Sequence, residues 1–261
     1  MDLNGKTVVV TGAASGIGRA LLETLCGYDV RVLAVDLNEE ALRTVIAELP
    51  APARVIPFAG DLGYPETVDT LLDVAQAEFG RVDVFIANAG FAYYEPFDGR
   101  WDHIDAIFRV NVFSPLYTLD RLMAREQGRP ITFVITASAM SHLGLAGYAL
   151  YSSTKAALDR FADSFRLEAH PQARLMLVYP ITTRTRFFDH HGVLAPVPRP
   201  SQPPEAVAAA ILRGLKNDQV RVQPSRLYAT IATIHRVLPV LRLYQHMSRR
   251  MFTTWRRQQA G

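Results

Sequence analysis

Residues 6–18 read Lys6-Thr7-Val8-Val9-Val10-Thr11-Gly12-Ala13-Ala14-Ser15-Gly16-Ile17-Gly18. An apolar run of strand length passes directly into a glycine-rich turn, and residues 16–26 then carry helical periodicity. Glycines let a backbone turn sharply and approach a ligand closely. The start of the next helix offers unpaired N–H groups and a partial positive charge, which suits a pyrophosphate. The spacing here is G-x-x-x-G-x-G. Such a turn also serves simple helix packing, so its place in a first strand–turn–helix unit is what points to a nucleotide.

The same alternation continues down the chain. Strands are predicted at 30–35, 54–58, 82–87, 131–137 and 174–179, and helices at 39–48, 65–79, 101–125 and about 148–168. Runs such as Val8-Val9-Val10, Val84-Phe85-Ile86 and Phe133-Val134-Ile135 are apolar throughout instead of alternating. That pattern suits strands buried on both faces, as in a parallel sheet covered by helices. The expected fold class is therefore α/β: a doubly wound parallel sheet in a three-layer α/β/α arrangement, forming a single domain. On such sheets ligands bind at the carboxyl ends of the strands.

The chain has 261 residues, 49% of them hydrophobic and 20% charged, which predicts one packed globular core. It contains no stretch of 18 apolar residues, and residues 1–6 lack a basic leader, so neither a spanning helix nor a secretory signal is expected. Cys26 is the single cysteine, which excludes an intrachain disulfide and fits a reducing, cytoplasmic setting. The net charge of +3 conceals an asymmetry. No Asp or Glu follows Asp218, while eight of the 28 basic residues do, leaving the rest of the chain mildly acidic.

Asp36 ends the second predicted strand. A carboxylate there accepts hydrogen bonds from adenosine ribose hydroxyls and repels a 2′-phosphate. Leu37 follows it, and the glycine loop holds no Lys or Arg, so NAD(H) is favoured and NADP(H) is the alternative. Arg19 is the one nearby cation that qualifies this preference. Asp36 also has a second reading as N-cap of the next helix, a role Asn38 can fill instead.

At this point the chain resembles the short-chain dehydrogenase/reductase family. The resemblance rests on Thr11 to Gly18, Asp61-Leu62, Asn88-Ala89-Gly90, Asn111, Ser138 and Tyr151-Ser152-Ser153-Thr154-Lys155, in family order over roughly residues 5 to 185. It implies a Rossmann-type fold over residues 1–223 and cofactor binding by Gly12, Ser15, Gly16, Ile17 and Gly18, with Asp36 on the ribose. It further implies Asp61 and Leu62 at the adenine, Asn88, Ala89 and Gly90 in the cleft, and Ile181 and Thr185 near the carboxamide. Tyr151 would be the general acid/base and Ser138 the group that holds the substrate oxygen. Lys155 would hold the nicotinamide ribose, and Asn111 would fix a water in a proton relay. The family's Pro-Gly is here Pro180-Ile181, while Ala87 and Ala137 stand where Asn and Ser are frequent.

The residues themselves support that chemistry. Tyr151 and Lys155 are i and i+4 on a predicted helix and share a face. A free tyrosine has a pKa of about 10, and a nearby ammonium is expected to lower it. The chain has just three lysines, Lys6, Lys155 and Lys216. A different class of function, a non-catalytic nucleotide-binding scaffold or redox sensor on the same fold, is the alternative.

Phe91, Tyr93, Tyr94, Leu143 to Leu145, Phe187 and Phe188 are the candidate substrate contacts, so a small lipophilic alcohol or ketone is expected. The proline-rich segment 184–204 reads as a lid. His190 and His191 stand without the further ligands a metal site needs, and no metal is expected. Residues 224–261 form a basic helical extension. Leu238, Leu241, Tyr244, Met247, Met251 and Trp255 recur at helical spacing, with Arg242, Arg249 and Arg256 on another face. Such a helix covers its own cleft, meets a sister subunit or lies peripherally on an anionic membrane. The family resemblance implies a homodimer or homotetramer. No nucleic-acid recognition motif accompanies the basic charge, so nucleic acid is not an expected partner.

Overall fold

A computed structural model describes residues 1–168, 170–185 and 200–235, with scattered positions between 246 and 257. In chain order the elements are β1 (Lys6–Thr11), α1 (Gly16–Leu25), β2 (Val30–Asp36), α2 (Glu39–Ala47), β3 (Val55–Ala59), α3 (Pro65–Phe79) and β4 (Val84–Ala87). Next come α4 (Trp101–Phe108), a π turn (Arg109–Phe113), α5 (Ser114–Glu126), β5 (Ile131–Thr136), α6 (Ala149–Leu167) and β6 (Ala173–Val178). The last are α7 (Pro204–Lys216), β7 (Arg221–Val222) and α8 (Arg226–His235).

Among the described residues seven strands form one parallel sheet in the order β3-β2-β1-β4-β5-β6-β7. The pleat sends alternate side chains to opposite faces. Val8 and Val10 enter a cluster with Leu21, Leu25, Leu42 and Ile211, from α1, α2 and α7. Val9 enters the opposite cluster with Leu71, Leu119 and Leu158, from α3, α5 and α6. Each face is thus sealed by helices, which is why the strand centres carry apolar residues at consecutive positions. The chain winds outward through β2 and β3, then returns to lay β4 on the other side of β1. Strand order reverses there, so the carboxyl ends of β1 and β4 open onto a crevice.

Two local features depart from the sequence reading. The helix expected over 101–125 is interrupted by a π turn, in which Ser114 N–H bonds Arg109 O. Pro115 explains it: proline has no N–H to offer the carbonyl of Asn111 four residues earlier, and its ring crowds that carbonyl. The chain also forms α7 and β7, for which the sequence reading has no counterpart, while α8 falls within the helical extension expected over 224–261. Val207, Ala208, Ile211, Leu212 and Leu215 of α7 are buried at helical spacing, but the prolines just before them hide the pattern. β7 is two residues long, too short to show a period. The expected lid lies mostly outside the described residues, as do Phe187, Phe188, His190 and His191, and so does most of the expected helix over 238–257. Among the described residues no helix is long and apolar enough to cross a membrane.

Candidate active site

A cavity of about 1180 Å³ opens along the carboxyl ends of the strands and brings together most of the residues singled out from the sequence. Its nucleotide half is built by the turn between β1 and α1. Gly12 has φ +65°, and a Cβ there would lie 3.0 Å from Ala89 Cα. At Gly18 a Cβ would lie 2.0 Å from Gly12 O, so this glycine allows the turn to fold onto the first turn of α1. Gly18 does not itself line the cavity, whereas Gly12, Ser15, Gly16 and Ile17 do. Ser15 caps α1 without a side-chain hydrogen bond, and the helix has no acid in its first turn. Open N–H groups and bare backbone fit a pyrophosphate.

Asp36, at the end of β2, accepts from Ala14 N–H at 2.9 Å and from Asn38 N–H at 3.1 Å. Asn38, and not Asp36, caps α2, accepting from Ala41 N–H at 3.0 Å. A carboxylate has about four lone-pair sites, so Asp36 keeps capacity for a further donor. Leu37 beside it is exposed, and both residues line the cavity. Arg19 is drawn away by ion pairs to Glu23 and Glu48. Asp61 and Leu62 border the same end, where Asp61 turns the chain by accepting from Gly63 N–H at 2.8 Å.

The strand ends are stitched together by Asn88. It donates to Thr11 O at 3.1 Å and accepts from Thr136 Oγ1 at 3.1 Å, while Thr11 Oγ1 receives the N–H groups of Asn88 and Ala89. Gly90 lies against Asn111, whose Oδ1 would be 2.9 Å from a Cβ at that position. Asn111 is buried outside the cavity lining; it accepts from Phe91 N–H at 3.1 Å and donates to Phe91 O at 2.9 Å. It therefore braces the loop behind the cleft from the π turn.

Ser138, Tyr151 and Lys155 meet on the cavity wall and are all largely buried. Ser138 follows β5, and its Oγ accepts from Met140 N–H at 3.1 Å and is hydrogen-bonded to the Tyr151 phenol. Lys155 Nζ donates to Thr136 O at 2.8 Å and lies 5.5 Å from the Tyr151 ring centre. Burial pushes the Tyr151 phenol up to about 12, against the opposing effect of the Ser138 hydrogen bond. Burial also brings the Lys155 ammonium down to about 8. The expected lowering of Tyr151 by Lys155 is thus corrected. In the protein alone, withdrawal from water is the larger effect and outweighs the Ser138 hydrogen bond.

Ile181 and Thr185 both line the cavity. Thr185 packs over the glycine loop, with Cγ2 only 2.8 Å from where a Gly16 Cβ would be. Phe91, Tyr93, Leu143 and Leu145 line the far half, while Tyr94 and Gly144 do not. Met140, Leu227, Tyr228 and Met247 also line the cavity; Met247 belongs to the apolar face of the extension, whereas Met140, Leu227 and Tyr228 carry no signal of their own in the sequence. Leu227 and Tyr228 arrive on α8, and Tyr228 OH donates to Ala139 O at 3.1 Å. Covering its own cleft is one of the three placements the sequence allows for the extension beyond residue 223, and Leu227, Tyr228 and Met247 line the cavity. Among the described residues no group of three His, Cys, Asp or Glu is placed to hold a metal.

A family model described as short chain dehydrogenase matches residues 6–192. Carbonyl reductase 2 of Sus scrofa, whose name specifies NADPH, is 33% identical over 190 residues, covering 71% of this chain and 75% of that protein. The uncharacterized oxidoreductase YxnA of Bacillus subtilis (strain 168) is 29% identical over 222 residues, 80% of this chain but 62% of YxnA. The fold matches a crystal structure of a short chain dehydrogenase/reductase from Burkholderia phymatum in complex with NAD, with a TM-score of 0.79 at 21% identity, covering 93% of this chain and 94% of that one.

Proposed function

The chain belongs to the short chain dehydrogenase family, and we propose from that premise that it interconverts a secondary alcohol and a ketone with a nicotinamide cofactor, NAD(H) in preference to NADP(H). The observation that carries this reading is the meeting of Ser138, Tyr151 and Lys155 on the same cavity as the glycine cradle. The alternative of a non-catalytic scaffold or redox sensor draws no support from that convergence.

When bound, the cofactor supplies or accepts the hydride. The chain's own residues do the rest. The glycine loop holds the pyrophosphate, and Asp36 accepts from the adenosine ribose. Asp61 and Leu62 border the adenine, Asn88 to Gly90 form the floor, and Ile181 and Thr185 flank the nicotinamide end. Lys155 holds the other ribose. Ser138 donates to the substrate oxygen, and Tyr151 transfers its proton to that oxygen in reduction or takes it in oxidation. At neutral pH a phenol held near 12 carries its proton, which suits ketone reduction directly. Asn111 anchors the relay that returns a proton to Lys155.

Asp36 beside Leu37, with Arg19 engaged elsewhere, supports the NAD(H) preference. The apolar wall of Phe91, Tyr93, Met140, Leu143, Leu145 and Leu227 supports a small lipophilic substrate. A homodimer or homotetramer working in the cytoplasm belongs to the same proposal. Contact of the extension with a membrane surface lies outside the described residues.

The test is a screen of ketones and alcohols with NAD(H) and NADP(H), read at the nicotinamide absorbance. Turnover of lipophilic ketones, faster with NADH, is expected. Failure of every pair to react would overturn the proposal.

A further inference from the structure

Asp159 is a buried carboxylate that the proposed chemistry does not use. It lies on α6 at i+8 from Tyr151 and i+4 from Lys155, so all three share one helix face. It is 2% exposed, and it does not line the cavity. Its Oδ1 accepts from Tyr179 OH at 2.6 Å, and its Oδ2 lies 3.3 Å from His142 Nε2. Burial pushes the carboxyl up, but the His142 and Tyr179 hydrogen bonds and the charges of His142 and Arg221 outweigh that and hold it at about 2. Arg160 also approaches, at 3.4 Å.

Its partners come from the two chain segments that deliver the site. His142 ends the turn that begins at Ser138, in which Ser141 N–H bonds Ser138 O and His142 N–H bonds Ala139 O. Tyr179 immediately precedes Pro180-Ile181, and Pro180 O accepts from Ala139 N–H at 2.9 Å. One carboxylate on the helix that bears Tyr151 therefore grips both loops. An apolar residue of similar size would avoid the desolvation cost of a buried charge, so what the charge adds here is a defined geometry.

We propose that Asp159 is a positioning residue whose grip on His142 and Tyr179 sets the placement of the Ser138 hydroxyl against the Tyr151 phenol. The inference rests on the proposed reaction. His142 is partly exposed and its ring also packs on Tyr179, 5.1 Å between centroids, so His142→Ala removes one arm of the grip together with that contact, and His142→Gln keeps the donor without the ring; Asp159→Asn removes the charge itself.

The experiment measures kcat, ketone KM and NADH affinity in wild type, His142→Ala, His142→Gln, Asp159→Asn, Ser138→Ala and the Ser138→Ala/His142→Ala double variant, using a ketone that the screen finds active. His142→Ala and Asp159→Asn are expected to lower kcat about tenfold with NADH affinity within about twofold of wild type, and His142→Gln, which keeps a donor, to recover most of the loss. In the Ser138→Ala background His142→Ala is expected to cost little more, because both act through one hydroxyl. Wild-type kcat in His142→Ala, equal loss in the Ala and Gln variants, additive losses in the double variant, or NADH affinity falling in step with kcat would each overturn it. Tyr151→Phe serves as the control: if it turns over normally, the reaction itself is misread, whereas an inert Tyr151→Phe beside a normal His142→Ala defeats only the role of Asp159.

Discussion

The ammonium of Lys155 is bonded to the carbonyl oxygen of Thr136, at 2.8 Å, which ties the middle of α6 to the carboxyl end of β5. Burial brings this ammonium from 10.5 down to about 8. Below pH 8 both folded and unfolded chains hold the proton, and the folded state bears the cost of a buried charge. Between 8 and 10.5 the unfolded chain binds a proton that the folded chain has released, so this group makes stability rise with pH. Lys155→Met removes that rise. The stability difference between wild type and Lys155→Met should move toward wild type by on the order of 2 kcal/mol between about pH 7.5 and 10. Urea unfolding of both proteins at about pH 7.5 and 10 measures it, and a constant difference would contradict the assignment. At about pH 10 and below, the folded Tyr151 phenol, pushed up to about 12, keeps its proton in both proteins and stays out of the comparison.

Thr185 reaches back across the chain to cover Gly16. Gly16 has φ +53°, and an added Cβ would stand 2.8 Å from Thr185 Cγ2. Gly16→Ala is expected to weaken NADH binding by about tenfold or more, from backbone strain together with that contact. Adding Thr185→Ser deletes Cγ2 while keeping the hydroxyl, and should restore part of the affinity. Calorimetric titration of the three proteins reads the effect; wild-type affinity in Gly16→Ala would show that the loop has room the structure denies it.

Cofactor choice is expected to turn on Asp36 and Leu37. Replacing Asp36 by Ala removes the charge that repels a 2′-phosphate, and Leu37→Arg supplies one that attracts it. In the double variant the NADPH-to-NADH ratio of kcat/KM should rise by about tenfold or more. An unchanged ratio would place the control of cofactor choice elsewhere, with Arg19 or Arg109 the next residues to substitute.

Much of this was legible in the sequence because it is local. The run from Lys6 to Gly18 encodes a strand, a turn and a helix start within thirteen residues, and the spacing of Tyr151 and Lys155 places both on one face of whatever helix forms. Asn88 and Asp36 were legible for the same reason, since each closes a strand. What stayed hidden depends on tertiary return. Tyr228 meets Ala139 across 89 positions, and nothing in the periodicity of α8 announces it. His142 and Asp159 are joined by folding, not by motif. The upward direction of the Tyr151 shift is hidden from the sequence because proximity of charge can be read from spacing, whereas burial cannot. Likewise the π turn at Asn111 follows from Pro115, a residue the helical period passes over.

The central claim is that Tyr151 carries the proton. Tyr151→Phe keeps the ring, its packing and the apolar wall, and removes only the hydroxyl. With the ketone and NADH that give the highest wild-type rate, the variant should lose at least about a thousandfold in kcat while binding NADH within about twofold of wild type. Turnover at the wild-type rate in a variant that binds NADH normally would contradict the account.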